Sequence, residues 1–336
     1  MKLTRILSDR HYQIWPSWHI VYEWENEFSS SLNLPITNSP IKNSPKTNNF
    51  LYRKFKGIDN RVFKGKLNEF LYEILNYTPE FSLYFEMHPT LYKTFSNNRK
   101  TIPVIVDFWG KSNIELFKKI YSKCPFLLIT SLEVLNFFKE NHIGNKLLHF
   151  PMSLPSIYKL EPDMLFEKKY DIVLAGRTNP VLWNYLKQYE IQHPEIEYLH
   201  QIQQNGELYY TSNIRGIIGK VHSREDYINL IRSGRISFYA TPGIDGGEKR
   251  TNGFNPVTPR LFELLSAGCH IIARYPKNVE TDFYQLETIC PSINSYDEFQ
   301  NQLKIALNSI QPIKKNSEYL LKHYTSTRVE LLKEIK

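Results

Sequence analysis

Between Thr258 and Ile272 the chain passes from a loop into a short helix and then into an apolar strand, and few folds accommodate that succession. Thr258 suits a helix N-cap, and Pro259 suits the first turn, where its fixed φ and missing N–H cost nothing. Gly268 ends the helix, since glycine enters the left-handed region freely. Cys269 to Ala273 is then a small-to-apolar run of the kind covered on both faces of a parallel sheet. Junctions like this belong to α/β proteins, whose ligands gather where strand ends meet helix starts.

Arg260 and Glu263 lie three residues apart in that helix and share a face. On a functional reading the cation meets a diphosphate, helped by the positive helix end, and the carboxylate accepts hydrogen bonds from ribose hydroxyls. The plainer alternative is a weak surface ion pair on an exposed helix.

The flanking sequence alternates strand and helix patterns. Leu3 to Leu7, Phe81 to Met87, Ile102 to Phe108, Phe126 to Thr130 and Lys146 to Met152 read as strands. Asn113 to Tyr121 and Leu132 to Glu140 read as helices, so the first half predicts βαβ units and a parallel sheet. Trp15 to Trp24 is densely aromatic and reads as core or as stacking platforms for a sugar ring. Pro35 to Asn49 reads as a loop. A proline-bearing connector, Pro151 to Pro162, marks the domain boundary. The second half restarts with a buried strand ending at Gly176 and Arg177, where glycine permits close approach and arginine reaches a phosphate, or where a tight turn simply carries a surface arginine. A helix from Pro180 to Tyr189 follows. Ser223 to Gly234 reads as a capped helix and Ile236 to Thr241 as a strand; the polar, glycine-rich segment Pro242 to Asn255 comes next.

Pro259 to Gly268 resembles the donor-site helix of GT-B glycosyltransferases, particularly the spore-maturation glycosyltransferase-like and group 1 members. The resemblance covers roughly Thr101 to Pro155 and Tyr170 to the end, with residues 1 to 100 matched loosely. It implies two Rossmann-like α/β domains with parallel sheets facing a cleft: 1–155 on the acceptor side, 156–315 binding the nucleotide-sugar donor, and a closing C-terminal helix, 316–336, packing back on the first domain. It further implies that Glu263 holds the ribose, that Gly176, Arg177 and Arg260 face the diphosphate, and that Asn252, Gly253, Phe254 and Asn255 contact the sugar. The chain departs from the family pattern in three places. Thr178 to Trp183 lacks the lysine that often follows the Gly-Arg turn, Asn255 stands where a second glutamate is usual, and Val106 to Gly110 lacks the cleft histidine. Asp107 then reads either as a general base or as a helix cap, and His88 as either a cleft acid-base group or a structural histidine.

With 336 residues and 41% hydrophobic content the chain is long enough for two cores. No run of about 18 to 20 apolar residues occurs and the N-terminus has no signal-like apolar stretch, so a cytoplasmic protein is expected, at or near the inner membrane face. Three separated cysteines and ten histidines without ligand spacing predict neither disulfides nor a metal site, and no cofactor is expected beyond the donor substrate. A net charge of +8 is most simply a solvated surface; among partners it favours an anionic membrane surface, by peripheral contact, over nucleic acid.

The expected activity is transfer of a sugar from a nucleotide diphosphate donor to a hydroxyl of a glycan or lipid-linked acceptor, in the making of bacterial surface polysaccharide. A nucleotide-sugar epimerase, a polyol-phosphate transferase and a catalytically silent scaffold of the same fold are the alternatives.

Overall fold

The computed structural model describes residues 2–11, 13, 15–39, 80–87, 89, 100–204 and 207–334. His88 and most of the Pro35 to Asn49 stretch lie outside the described residues.

Among the described residues six strands form the first sheet: β1 (Leu3–Ser8), β2 (Ile36–Asn38), β3 (Phe81–Glu86), β4 (Thr101–Ile105), β5 (Phe126–Ile129) and β6 (Lys146–His149). They lie in the order β2-β1-β3-β4-β5-β6 and every pairing is parallel. Around them pack α1 (His19–Leu32), α2 (Ile114–Tyr121) and α3 (Leu132–Glu140). The aromatic segment belongs to this core: Trp18, Trp24 and Phe28 are buried, whereas Trp15 is exposed.

The second sheet holds β7 (Tyr170–Val173), β8 (Tyr198–Gln204), β9 (Glu207–Ser212), β10 (Gly216–Lys220), β11 (Gly234–Ala240) and β12 (His270–Arg274), with α4 (Pro180–Gln192) and α5 (Arg224–Arg232) among its helices. Its order is β10-β9-β8-β7-β11-β12. Strands β8, β7, β11 and β12 are parallel, while β9 and β10 add antiparallel strands at one edge that the sequence reading did not foresee. The signal for them was available, since Gln204 and Glu207 flank an Asn-Gly dipeptide, a common hairpin connector.

Helix α6 (Pro259–Ser266) follows β11. Thr258 takes the extended N-cap conformation, but its side chain makes no capping bond; Pro259 at the first position does the organising. Leu261, Phe262, Leu264 and Leu265 are all buried, and each contributes about 1.5–3 kcal/mol relative to an exposed side chain. Gly268 sits at φ 65° and closes the helix as Gly268 N–H donates to the Leu265 carbonyl and Cys269 N–H to that of Leu264. Beyond β12 come α7 (Val279–Phe283), α8 (Leu286–Ile289), α9 (Tyr296–Asn308), α10 (Ile313–Leu320) and α11 (Thr325–Glu334).

Helix α11 packs against α1, and the Arg328 guanidinium donates to the carbonyls of Pro151 and Met152, each at 2.8 Å. One apolar cluster therefore runs from Ile6 and Trp24 of the first sheet side through Leu154 to Phe262 and Tyr324. Cys124, Cys269 and Cys290 are buried, and none forms a disulfide among the described residues. Among the described residues no helix is long and apolar enough to cross a membrane.

Candidate functional site

In the second sheet the chain leaves β7 for β8 on one side and later returns to β11 on the other. The loops after β7 and β11 thus flank a topological switch point, where open α/β sheets bind ligands. Gly176 and Arg177 follow β7, and the Pro242 to Asn255 segment follows β11. Gly176 has φ 74°, a conformation that favours glycine, and a Cβ there would displace the Arg260 guanidinium that passes over it. Arg260 Nη1 reaches the Arg177 carbonyl at 3.5 Å, while its Nε is buried with no hydrogen-bond partner among the described residues.

Three guanidinium groups gather here. Arg177 pairs with Glu248 at 3.1 Å, and Arg250 holds the same carboxylate through Nη2 at 2.8 Å and Nε at 2.9 Å. Burial draws the Arg177 pKa down, and Arg260 and Arg250 push the same way against Glu248. The hydrogen bond from Arg250 holds Glu248 ionised, its pKa lowered to about 2. The cluster is electrostatically prepared for further negative charge.

The segment after β11 crosses to the first domain. Phe254 is buried there, 5.6 Å between ring centroids from Phe137 and 6.4 Å from Phe108, with the Lys111 ammonium 4.0 Å above its ring. Of the sugar-contacting residues expected, Phe254 is instead an anchor, because an apolar ring gains more in that aromatic pocket than in the wet cleft. Asn252, left-handed at φ 50°, donates its amide to the Trp109 carbonyl. Asn255 gives its N–H to Glu133 at 2.6 Å and accepts the Thr241 hydroxyl at 2.9 Å. Gly253 is exposed beside them at φ 86°.

Asp107, just past β4, faces this cluster from the first domain. It caps neither the turn at Lys111 nor α2, both of which begin without a side-chain cap. Burial raises its pKa to about 7, with Arg177 and Arg250 pulling the other way. Trp109 stands near, its ring 5.3 Å beneath the Arg250 guanidinium and its Nε1 buried without a partner among the described residues.

Glu263 lies on the same α6 face as Arg260 and is almost wholly buried. It is no loose surface partner: Arg224 Nη2 binds its Oε1, and the Tyr227 hydroxyl donates to its Oε2 at 3.2 Å. Arg224, Glu248, Trp109 and Lys111 were not singled out from sequence. The capping pattern Ser223 to Asp226 revealed the helix that carries Arg224, but its partners stand 39 and 201 positions away in the chain.

No family model matches the chain, and no curated protein matches it. Among solved structures it is similar to the Escherichia coli trehalose-6-phosphate protein bound with UDP-2-fluoro glucose (TM-score 0.60, 11% identity, covering 99% of this chain and 98% of that one). It is also similar to an α,α-trehalose-phosphate synthase (UDP-forming) from Burkholderia vietnamiensis (TM-score 0.52, 8% identity, 94% and 82% covered). A match to the pneumococcal O-GlcNAc transferase GtfA in complex with UDP and GlcNAc has TM-score 0.48 and 11% identity over 81% of this chain; the chain spans 59% of that protein's length. The likeness establishes the fold: two α/β domains in the GT-B arrangement.

Proposed function

We propose that the chain is a glycosyltransferase that takes a sugar from a nucleotide diphosphate donor and passes it to a hydroxyl of a glycan or lipid-linked acceptor. The observation that carries this reading is the convergence of Arg177, Arg250 and Arg260 at the switch point of the second sheet, opposite Asp107 of the first domain. In the reaction the acceptor oxygen attacks the anomeric carbon, the bond to the diphosphate breaks, and the nucleoside diphosphate leaves. Arg177 and Arg260 stabilise the charge that develops on it. Asp107 takes the acceptor proton, a role suited to a carboxylate whose pKa lies near neutrality. Glu263 orients the ribose, and Asn252, Gly253 and Asn255 line the sugar side. Phe254 fastens the loop that presents them.

The proposal extends to a role in bacterial surface polysaccharide synthesis and to peripheral contact with a membrane face, both resting on the family resemblance and the basic charge. Thermal-shift measurements against nucleoside diphosphates and their sugar conjugates test the donor site, because a ligand bound only by the folded state raises Tm. Replacing Glu263 by alanine is expected to weaken donor binding by about 1–3 kcal/mol, the worth of hydrogen bonds to a charged group. Equal affinity in a folded E263A protein removes the residue from the site. Product analysis with an acceptor present separates transfer from epimerisation.

A further inference from the structure

We propose that Arg224 is a positioning residue that fixes the Glu263 carboxylate for the donor's ribose hydroxyls and ties it, through Glu23, to the first domain. The inference rests on the ribose role given to Glu263 above.

Arg224 is the first residue of α5, and a reciprocal capping box between Ser223 and Asp226 fixes the backbone from which it projects. Its guanidinium spans two carboxylates. Nη2 binds Glu263 Oε1, while Nε meets Glu23 Oε1 at 3.2 Å and Oε2 at 3.3 Å. The tyrosine rings of Tyr158 and Tyr227 lie 5.6 Å and 5.2 Å from its centre. Each ring's hydroxyl also donates to one of the carboxylates, Tyr158 to Glu23 and Tyr227 to Glu263. Side-chain exposure is 18% for Arg224, 13% for Glu23 and 6% for Glu263, so the group is screened from solvent.

A carboxylate oxygen has two acceptor directions. Arg224 fills one on Oε1 and Tyr227 one on Oε2, which leaves one on each oxygen, the number that two vicinal hydroxyls require. Pinned at both oxygens, Glu263 does not have to be ordered when the ribose arrives. A lysine at position 224 keeps the charge but lacks the flat, forked donors that span both partners. Glu23 lies on α1 and Tyr158 on the connector, so the same guanidinium joins the ribose carboxylate to the opposite domain.

The test is the preference for ribose hydroxyls, measured by calorimetric titration of uridine, adenosine and guanosine diphosphates, each against its 2′-deoxy analogue. The wild-type protein is expected to favour the ribonucleotide by about tenfold, the value of one such hydrogen bond. Glu263→Gln and Arg224→Met should both erase the preference, lowering ribonucleotide affinity about tenfold more than deoxynucleotide affinity, since the deoxynucleotide has only its 3′-hydroxyl bond to lose; Glu23→Gln should lower the preference without abolishing it. A purely structural role for Arg224 would weaken both ligands alike. Full preference in folded Arg224→Met overturns the proposal, and Arg224→Lys decides in the same way should that variant not fold. If Glu263→Gln leaves the preference intact, or the wild type binds none of these nucleotides, the ribose reading fails and takes the proposal with it. If only the Arg224 variants leave it intact, this inference alone fails.

Discussion

Asp107 shows what one residue's surroundings add to its identity. Past the end of a strand, an aspartate reads as a cap or as a base; here it faces Arg177 and Arg250 and caps neither the turn at Lys111 nor α2, and the base role is the one proposed. In the proposed reaction the ionised form is the active one. Activity should therefore rise with pH to a plateau above about 7, following the carboxyl group raised by burial. Asp107→Asn should lower kcat by about 10²–10⁴-fold, the usual contribution of a general base, with the donor's KM little changed and the pH limb gone. Steady-state profiles of the two proteins check this, and a limb that persists in the variant assigns it elsewhere. Glu263 gives the complementary case: its spacing from Arg260 was legible, but its actual partners, Arg224 and Tyr227, come from a different helix.

At the scale of elements, the structure follows local rules closely wherever one rule decides. Helix α3 spans the residues its pattern predicts, and α6 runs from Pro259 to the turn before Gly268. Local rules fail where an element draws its stability from far away. The glycine-rich segment after β11 resembles a free ligand loop in sequence, yet Phe254 docks it into the aromatic cluster of Phe108 and Phe137. Phe254→Ala is expected to cost about 3–5 kcal/mol in equilibrium denaturation, as for other buried aromatics, and to open the segment to proteolysis. A loss below about 1 kcal/mol would mean that the ring contributes little to holding the loop.

For the molecule as a whole, the two domains meet through buried polar groups as well as through apolar packing. Glu280 of α7 accepts from Leu132 N–H at 2.6 Å and from the Ser131 hydroxyl at 3.0 Å, capping α3 across the interface, while its Oε1 has no partner among the described residues. Burial, with Glu133 adding repulsion, outweighs those hydrogen bonds and raises its pKa to about 7. The unfolded value is about 4.3, so between these pH values the folded protein binds more protons, and stability is lost as pH rises through that window. Glu280→Gln keeps an acceptor for both donors and removes the ionisation. Its Tm should match wild type near pH 4 and exceed it near pH 8; equal melting curves at both values would show that the carboxyl does not titrate in this range.

The sequence by itself determined the alternation of strands and helices, the helix α6 with its proline start and glycine stop, and the residue types gathered at the strand ends. These follow from φ restrictions, side-chain periodicity and hydrogen-bond capping, which act within a few residues. Only the tertiary structure decided that Phe254 leaves the ligand side for the opposite core, that Asp107 faces arginines, and that Arg224 joins Glu23 to Glu263. Those outcomes depend on desolvation and Coulomb energy between groups brought together by folding, quantities that spacing along a chain does not encode.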